Sequence, residues 1–224
     1  MDERATGLIV RTRLLTETSL IVHWLTAEAG RIATVAKGAR RPKSAFRGKL
    51  DLFHLAEFSF QRSVRSDLHT LKELVVRDSH SALRQDLSRL RQASYCTALI
   101  ELATEVETPL AVPFQQLAGL LDCLQTRPAQ PALVFAFELK LLQELGICPP
   151  VRSPTVSPGT TAAMRYFLRS SWASLGLLQL TIAQAMEINR FLLQALSGHF
   201  HRLPQGRDSA IRIPSAEQSP RASG

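Results

Sequence analysis

The chain has 224 residues, 45% of them apolar and 21% charged, a composition that suits one large or two small packed domains and excludes wholesale disorder. Twenty-seven Lys and Arg against nineteen Asp and Glu give a formal charge of +8, which favours a polyanionic partner, nucleic acid before membrane. No apolar run approaches the ~20 residues that span a bilayer. Met1-Asp2-Glu3-Arg4 lacks the apolar core of a secretory leader. Three widely spaced cysteines, Cys96, Cys123 and Cys148, argue against a disulfide framework or a paired-cysteine zinc site, so a reducing cytoplasm is expected.

Up to His80 the pattern is that of short strands. Leu8, Val10, Thr12 and Leu14 alternate with Ile9, Arg11, Arg13 and Leu15, and Leu20, Val22 and Trp24 alternate with Ile21, His23 and Leu25. Glu28-Ala29-Gly30-Arg31 forms a tight reversal and leads into a third strand from Arg31 to Lys37. Leu52 to Gln61 and Leu71 to Arg77 supply two more. Five short strands rich in β-branched and aromatic residues indicate a small closed barrel or sandwich, with an SH3-like barrel as the competing arrangement.

After His80 the period becomes helical. Leu83, Leu87 and Leu90 lead into Cys96, Leu99, Ile100 and Ala103, and Pro109 and Pro113 interrupt the run. Phe114 to Leu124 forms a second amphipathic helix. The segment from Leu133 to Leu145 is apolar around most of its circumference, as a helix inside a bundle is, with Gly146 as its C-terminal cap. Residues 147–159 hold four prolines and form a loop. Helices near Thr160–Ala173 and Thr181–Phe200 follow, the latter capped by Thr181. The organisation expected is a β domain over residues 1–80, a helical domain over 81–203 and a disordered tail over 204–224, whose composition is Ser, Pro, Gly, Gln and Arg.

The charge is unevenly placed. Fourteen basic against nine acidic residues give the first eighty a net +5, and Ala36 to Lys49 holds Lys37, Arg40, Arg41, Lys43, Arg47 and Lys49 with no acid at all. Clustered cations repel one another, and a polyanion that neutralises them releases its counterions, so this loop is the first candidate for a nucleic-acid contact. Arg11 and Arg13 lie on the first strand and extend the candidate surface, while Arg62, Arg65 and Arg77 lie on or beside others. Phe46, inside the loop, is the aromatic nominated for base stacking; Phe58 and Phe60 share a face with Leu52 and Ala56 and are assigned to the core.

Enzyme chemistry finds little support. GxxxxGK[ST], GxSxG, HExxH and CxxC motifs are absent, and Glu101, Glu105 and Glu107 read as an acidic surface. His23, His54, His69 and His80 are scattered, and His199 and His201 lack the spacing that places two ligands on one helix face, so neither a metal nor a cofactor is expected. His199 and His201 suit a helix C-terminus.

Three clusters in this order resemble the RecO family of bacterial recombination mediators: Leu15-Thr16-Glu17-Thr18-Ser19-Leu20, Thr26-Ala27-Glu28-Ala29-Gly30-Arg31 and Val35-Ala36-Lys37-Gly38-Ala39-Arg40. Phe137 to Gly146 is similar to the family's central helix. The resemblance implies a five-stranded oligonucleotide-binding (OB) β-barrel followed by an all-α domain. It implies binding of single- and double-stranded DNA, annealing of complementary strands, and recombinase loading with RecR and the acidic tail of the single-strand-binding protein, without nucleotide hydrolysis, in the cytoplasm at the nucleoid. Of the family's DNA-contacting loop, Lys37, Arg40 and Arg41 carry over; Lys43, Arg47 and Lys49 extend the patch by charge alone. Many relatives place a four-cysteine zinc motif after the central helix; here the corresponding stretch, Cys148 to Gly159, has one cysteine, and zinc is not implied. A helical protein-binding adaptor and an RNA-binding module are the rival readings.

Overall fold

The computed structural model describes residues 2–213. Five strands, β1 (Asp2–Leu14), β2 (Leu20–Thr26), β3 (Arg31–Ala36), β4 (Leu55–Gln61) and β5 (Leu68–Asp78), close into a barrel in the order β1-β2-β3-β5-β4. All neighbours are antiparallel except β3 and β5. The long first strand achieves closure by pairing on both edges: Asp2 to Leu8 meet β4, and Gly7 to Leu14 meet β2. At Gly7, where the two ladders overlap, an added Cβ would lie 2.9 Å from Thr26 Cγ2 and 3.0 Å from the Leu25 carbonyl oxygen, so the crossing needs a residue without a side chain. A register shift between Ile9 and Arg11 adds the bend that barrel closure demands. This order and the parallel β3–β5 pair define an OB barrel and exclude the SH3-like alternative.

Inside the barrel, Trp24 stacks on Phe58 with ring centroids 3.9 Å apart, and Ile9, Val22, Ile32, Ala56, Phe60, Leu71 and Leu74 complete the cluster. The indole Nε1–H of Trp24 donates to Thr34 Oγ1 at 2.9 Å, which satisfies the buried polar atom of each side chain.

The chain divides into two compact units that interleave in sequence. One holds residues 1–85 and 103–125; the other holds 86–102 and the chain from 126 onward. Periodicity alone assigns helix α2 (Ala111–Thr126) to the helical part, whereas nearly all of it belongs to the barrel's unit. The reason is a set of backbone contacts to the β2–β3 hairpin: Glu107 N–H donates to the Arg31 carbonyl at 3.0 Å, Leu110 N–H to the Ala27 carbonyl at 2.9 Å, and the Arg31 guanidinium to the Thr104 carbonyl. Gly30 sits at φ +67°, and a Cβ there would fall 1.9 Å from the Thr108 carbonyl oxygen. Glu107, read from sequence as part of an acidic surface, instead bridges Arg62 at 2.9 Å and His69 at 3.1 Å.

The second unit contains α1 (Leu87–Ala103, apart from its last residue), α3 (Pro131–Glu144), α4 (Pro158–Arg169), α5 (Trp172–Leu175), α6 (Ile182–His199) and α7 (Arg207–Ile211). Helix α3 is its axis, buried continuously from Ala132 to Leu139 and touching α4, α5, α6 and α7. Gly146 follows α3 at φ +71°, and the Ile147 N–H returns to the Leu142 carbonyl, closing the helix end as expected. Thr181 caps α6 through a reciprocal pair with Gln184, at 3.2 and 3.0 Å. His199 lies in the last turn of α6 and its Nδ1 meets the Ala195 carbonyl at 3.0 Å.

The tail expectation needs correction. Residues 204–213 are folded, with α7 held by a buried ion pair: Arg207 Nε and Nη2 donate to the Glu138 carboxylate at 2.7 and 2.8 Å, and Arg207 Nη1 donates to Asn189 Oδ1 at 2.7 Å. The Tyr95 hydroxyl donates to the same carboxylate at 2.6 Å, and burial holds the phenol far above its ordinary titration range. A carboxylate fully buried in the middle of α3 needs such donors, and the segment beyond Pro204 supplies the charged ones. The remainder of the expected tail, residues 214–224, lies outside the described residues.

Candidate nucleic-acid interface

Between β3 and β4 the chain runs through consecutive tight turns. Arg41 N–H donates to the Gly38 carbonyl at 3.0 Å, Ser44 N–H to Arg41 at 3.0 Å, Arg47 N–H to Ser44 at 3.2 Å and Lys49 N–H to Phe46 at 3.0 Å. The backbone thus satisfies itself locally and leaves the charged side chains outside. Two further constraints hold the loop. Ala39 joins the barrel core and Phe46 and Leu50 pack against it. On the other flank the β1–β2 turn braces it: Gly38 N–H donates to Ser19 Oγ at 3.2 Å, Arg40 N–H to the Thr18 carbonyl at 3.0 Å and Arg40 Nη1 to the Glu17 carbonyl at 3.0 Å.

Lys37, Arg40, Arg41, Lys43 and Arg47 are exposed and Lys49 is half-buried. Among the described residues, no carboxylate forms an ion pair with any of these six. Asp51, the nearest acid following the loop in sequence, is engaged by Arg84 Nε at 3.0 Å. Other arginines of the barrel behave differently. Arg62 pairs with Glu3 at 2.7 Å and Arg77 with Glu57 at 2.5 Å. The hydrogen bond from Arg62 holds the Glu3 carboxyl below the usual carboxylate range. Acids are therefore available in this unit, yet among the described residues none pairs with the loop: Asp51 is taken by Arg84, and Glu17 meets Arg40 through its backbone carbonyl alone.

Arg11 and Arg13 project from β1 opposite His23 and Ile21 of β2, in the hairpin whose turn braces the loop. Arg13, nearer the turn, is exposed; Arg11 is half-buried and engaged in its own contacts. The structure thus gathers the six loop cations on one segment and sets Arg13 on the adjoining hairpin, with Arg11 further along the strand.

The stacking role nominated for Phe46 is not supported: the ring packs on the barrel core. Phe46 is half-buried in this position and Trp24, Phe53, Phe58 and Phe60 are buried, so among the described residues the barrel offers no fully exposed aromatic platform. Sequence reasoning passed over Val64, which is 97% exposed beside exposed Arg65 in the β4–β5 turn. A lone apolar residue within Ser63-Val64-Arg65-Ser66 was the available signal.

One histidine, His80, has an acidic neighbour that sequence spacing does not show. Asp78, His80 and Asp122 bring potential ligand atoms within 4.8 Å of one another. Protein contacts already use much of that group. His80 Nδ1 meets the Phe53 carbonyl at 2.6 Å, and Asp78 accepts from the His80 N–H at 2.7 Å and from Gln125 at 3.0 Å.

Barrel order, strand register and the unmatched loop cations together define an OB-fold protein with a cationic surface loop. The family model described as Recombination protein O N terminal matches residues 1–80, and that described as Recombination protein O C terminal matches residues 84–154. The "DNA repair protein RecO" of Anaeromyxobacter sp. (strain K) is 34% identical over 146 residues, which cover 65% of this chain and 58% of that protein. The protein of the same name from Exiguobacterium sibiricum is 30% identical over 168 residues, 75% of this chain and 67% of that one, and that from Symbiobacterium thermophilum is 35% identical over 145 residues, 64% and 56%. The chain belongs to the RecO family. The match spans 58% of the length of the first of these relatives. No helix among the described residues is long and apolar enough to cross a membrane.

Proposed function

We propose that this chain is a DNA-binding recombination mediator of DNA repair that works by charge neutralisation rather than by catalysis. The observation that carries the reading is the set of six cations from Lys37 to Lys49, unmatched by any carboxylate among the described residues, on a braced loop of an OB barrel. Two complementary strands repel through their phosphates. A cationic loop that holds the backbone lowers that repulsion, leaves the base edges free, and lets base pairing select the partner. Among the described residues the barrel's aromatics are buried or, for Phe46, half-buried against the core, which supports recognition through phosphate rather than through stacked bases and suits both single and double strands. In this reading the chain is not an enzyme and acts in the cytoplasm at the nucleoid. With RecR and the single-strand-binding protein, it helps load recombinase on coated DNA.

The test is annealing of two fluorescently labelled complementary oligonucleotides, bare and coated by single-strand-binding protein, with a matched RNA pair in parallel. The expected result is faster annealing of DNA in the presence of the chain, lost in Lys37→Ala/Arg40→Ala/Arg41→Ala. Spontaneous rates in every arm, or acceleration of RNA alone, would overturn it.

A further inference from the structure

The helical unit carries a second cationic surface that lies almost wholly beyond residue 154, where the family matches end. From Leu145 to Met186 the sequence contains no Asp or Glu, while Arg152, Arg165 and Arg169 punctuate it. The fold gathers these three guanidinium groups around one cavity of about 600 Å³, with Tyr166 on its wall and Val156 and Ala162 among its apolar lining. All three arginines are exposed, and none has an ion-pair or hydrogen-bond partner for its side chain among the described residues. Glu187 meets this segment at Ser157, whose N–H it accepts at 3.0 Å, and it does not line the cavity.

Arg165 and Arg169 stand four residues apart on α4, so they share a helix face and repel. A helix that keeps like charges together beside a concavity gains free energy when an anion enters. Tyr166 is 42% exposed and lines the same cavity as these arginines, so its π-face is open to a planar ligand. Guanidinium groups for phosphate, an aromatic face for a base and an apolar floor form the combination used to hold a single nucleic-acid strand. A double helix hides its base faces in the stack and would leave the tyrosine unused. An acidic peptide would satisfy the cations and would engage the ring only where it also carried an aromatic residue, whereas every nucleotide of a single strand brings both groups.

We infer that Arg152, Arg165, Tyr166 and Arg169 form a second, single-stranded-DNA site in the helical unit, so that one chain holds two strands, one in each compact unit. The inference rests on the DNA-handling reading above and adds to it a separate site and a stoichiometry. Three phosphate contacts at roughly −0.7 each give this site a log–log salt slope of about −2, so a fourfold rise in salt weakens it roughly twentyfold.

The experiment titrates the full chain with fluorescein-labelled oligothymidylate at low salt and reads the number of strands bound per chain. Circular dichroism verifies that each variant is folded. Wild type is expected to bind two strands, Arg165→Ala/Arg169→Ala one, Lys37→Ala/Arg40→Ala/Arg41→Ala one, and the combined variant none tightly. Tyr166→Leu, which leaves every charge in place, is expected to weaken the second phase at least severalfold. Two strands bound by Arg165→Ala/Arg169→Ala would overturn the inference. So would one strand bound by wild type and lost only in the loop variant, a result that leaves the proposed function standing. No binding by wild type would overturn both. If Arg165→Ala/Arg169→Ala loses a synthetic Asp-rich peptide but keeps two strands, the cavity is a peptide site and the inference fails.

Discussion

Replacing Arg207 by Met tests how the last described helix is held. The Glu138 carboxylate is fully buried and receives three donors, two from Arg207 and one from Tyr95. The Met variant keeps the volume of the aliphatic stem and leaves the carboxylate with a single donor. Removing one partner of a buried pair costs about 3–5 kcal/mol, a large part of the ~5–15 kcal/mol that holds a domain together. Removing both charges with Glu138→Leu/Arg207→Met leaves the Tyr95 hydroxyl and the Asn189 side-chain oxygen, each worth roughly 1 kcal/mol when unpaired. The double variant should therefore be more stable than Arg207→Met, and the cycle should return a coupling of about 2 kcal/mol or more. Urea unfolding followed by circular dichroism measures all four corners. A chain ending at Leu203 should lose more than Arg207→Met, because it also removes buried Ala210 and Ile211. If Arg207→Met lies within ~0.5 kcal/mol of wild type, the ion pair does not anchor α7 and the reasoning is wrong.

Three further outcomes are expected. Gly30→Ala should destabilise the barrel unit by more than the roughly 1–2 kcal/mol of left-handed backbone alone, because the new Cβ would meet the Thr108 carbonyl oxygen at 1.9 Å; urea unfolding with no loss would contradict it. Glu3 is held below its ordinary value of 4.5 by Arg62, so its contribution is present above that pH and disappears as pH falls through the lowered value. Glu3→Gln should accordingly flatten the acid limb of stability against pH, by well under ~1 kcal/mol since more than a third of each side chain is open to screening solvent, and an unchanged limb would count against the pair. Thr34→Val should cost about 1–3 kcal/mol by leaving the Trp24 indole N–H without an acceptor; a neutral result in thermal melts would show that the indole finds another.

Much of the barrel was legible because its residues alternate. Val22 and Trp24 against Ile21 and His23 state which side of β2 is buried, and Thr181 announced the start of α6. What escaped depended on partners distant in sequence. Nothing near Arg207 says that its carboxylate partner stands 69 residues earlier, so a segment of Ser, Pro, Gly and Arg reads as solvated. The segment from Ala103 to Gln125 looks like any amphipathic stretch, and its place with the barrel follows from backbone hydrogen bonds to the β2–β3 hairpin that periodicity does not encode. Phe46 reads from sequence as a stacking aromatic among charged neighbours, although one apolar residue in a polar loop is also what an anchor looks like. The loop cations themselves were legible from composition. That they remain unmatched while Arg62 and Arg77 are paired was not, because it depends on where the acids of other strands end up.

The salt dependence of binding weighs the proposal most directly. Six single-strand phosphate contacts would give a log–log slope near −4, and removing Lys37, Arg40 and Arg41 should halve that loop contribution, to about −2. Fluorescence anisotropy on an oligothymidylate, between 50 and 200 mM salt as a rough working range, reads the slope in an Arg165→Ala/Arg169→Ala background that isolates the loop. The account predicts a slope shallower by about 2 and weaker binding on every sequence tested. Equal slopes and affinities with and without the three cations would contradict it.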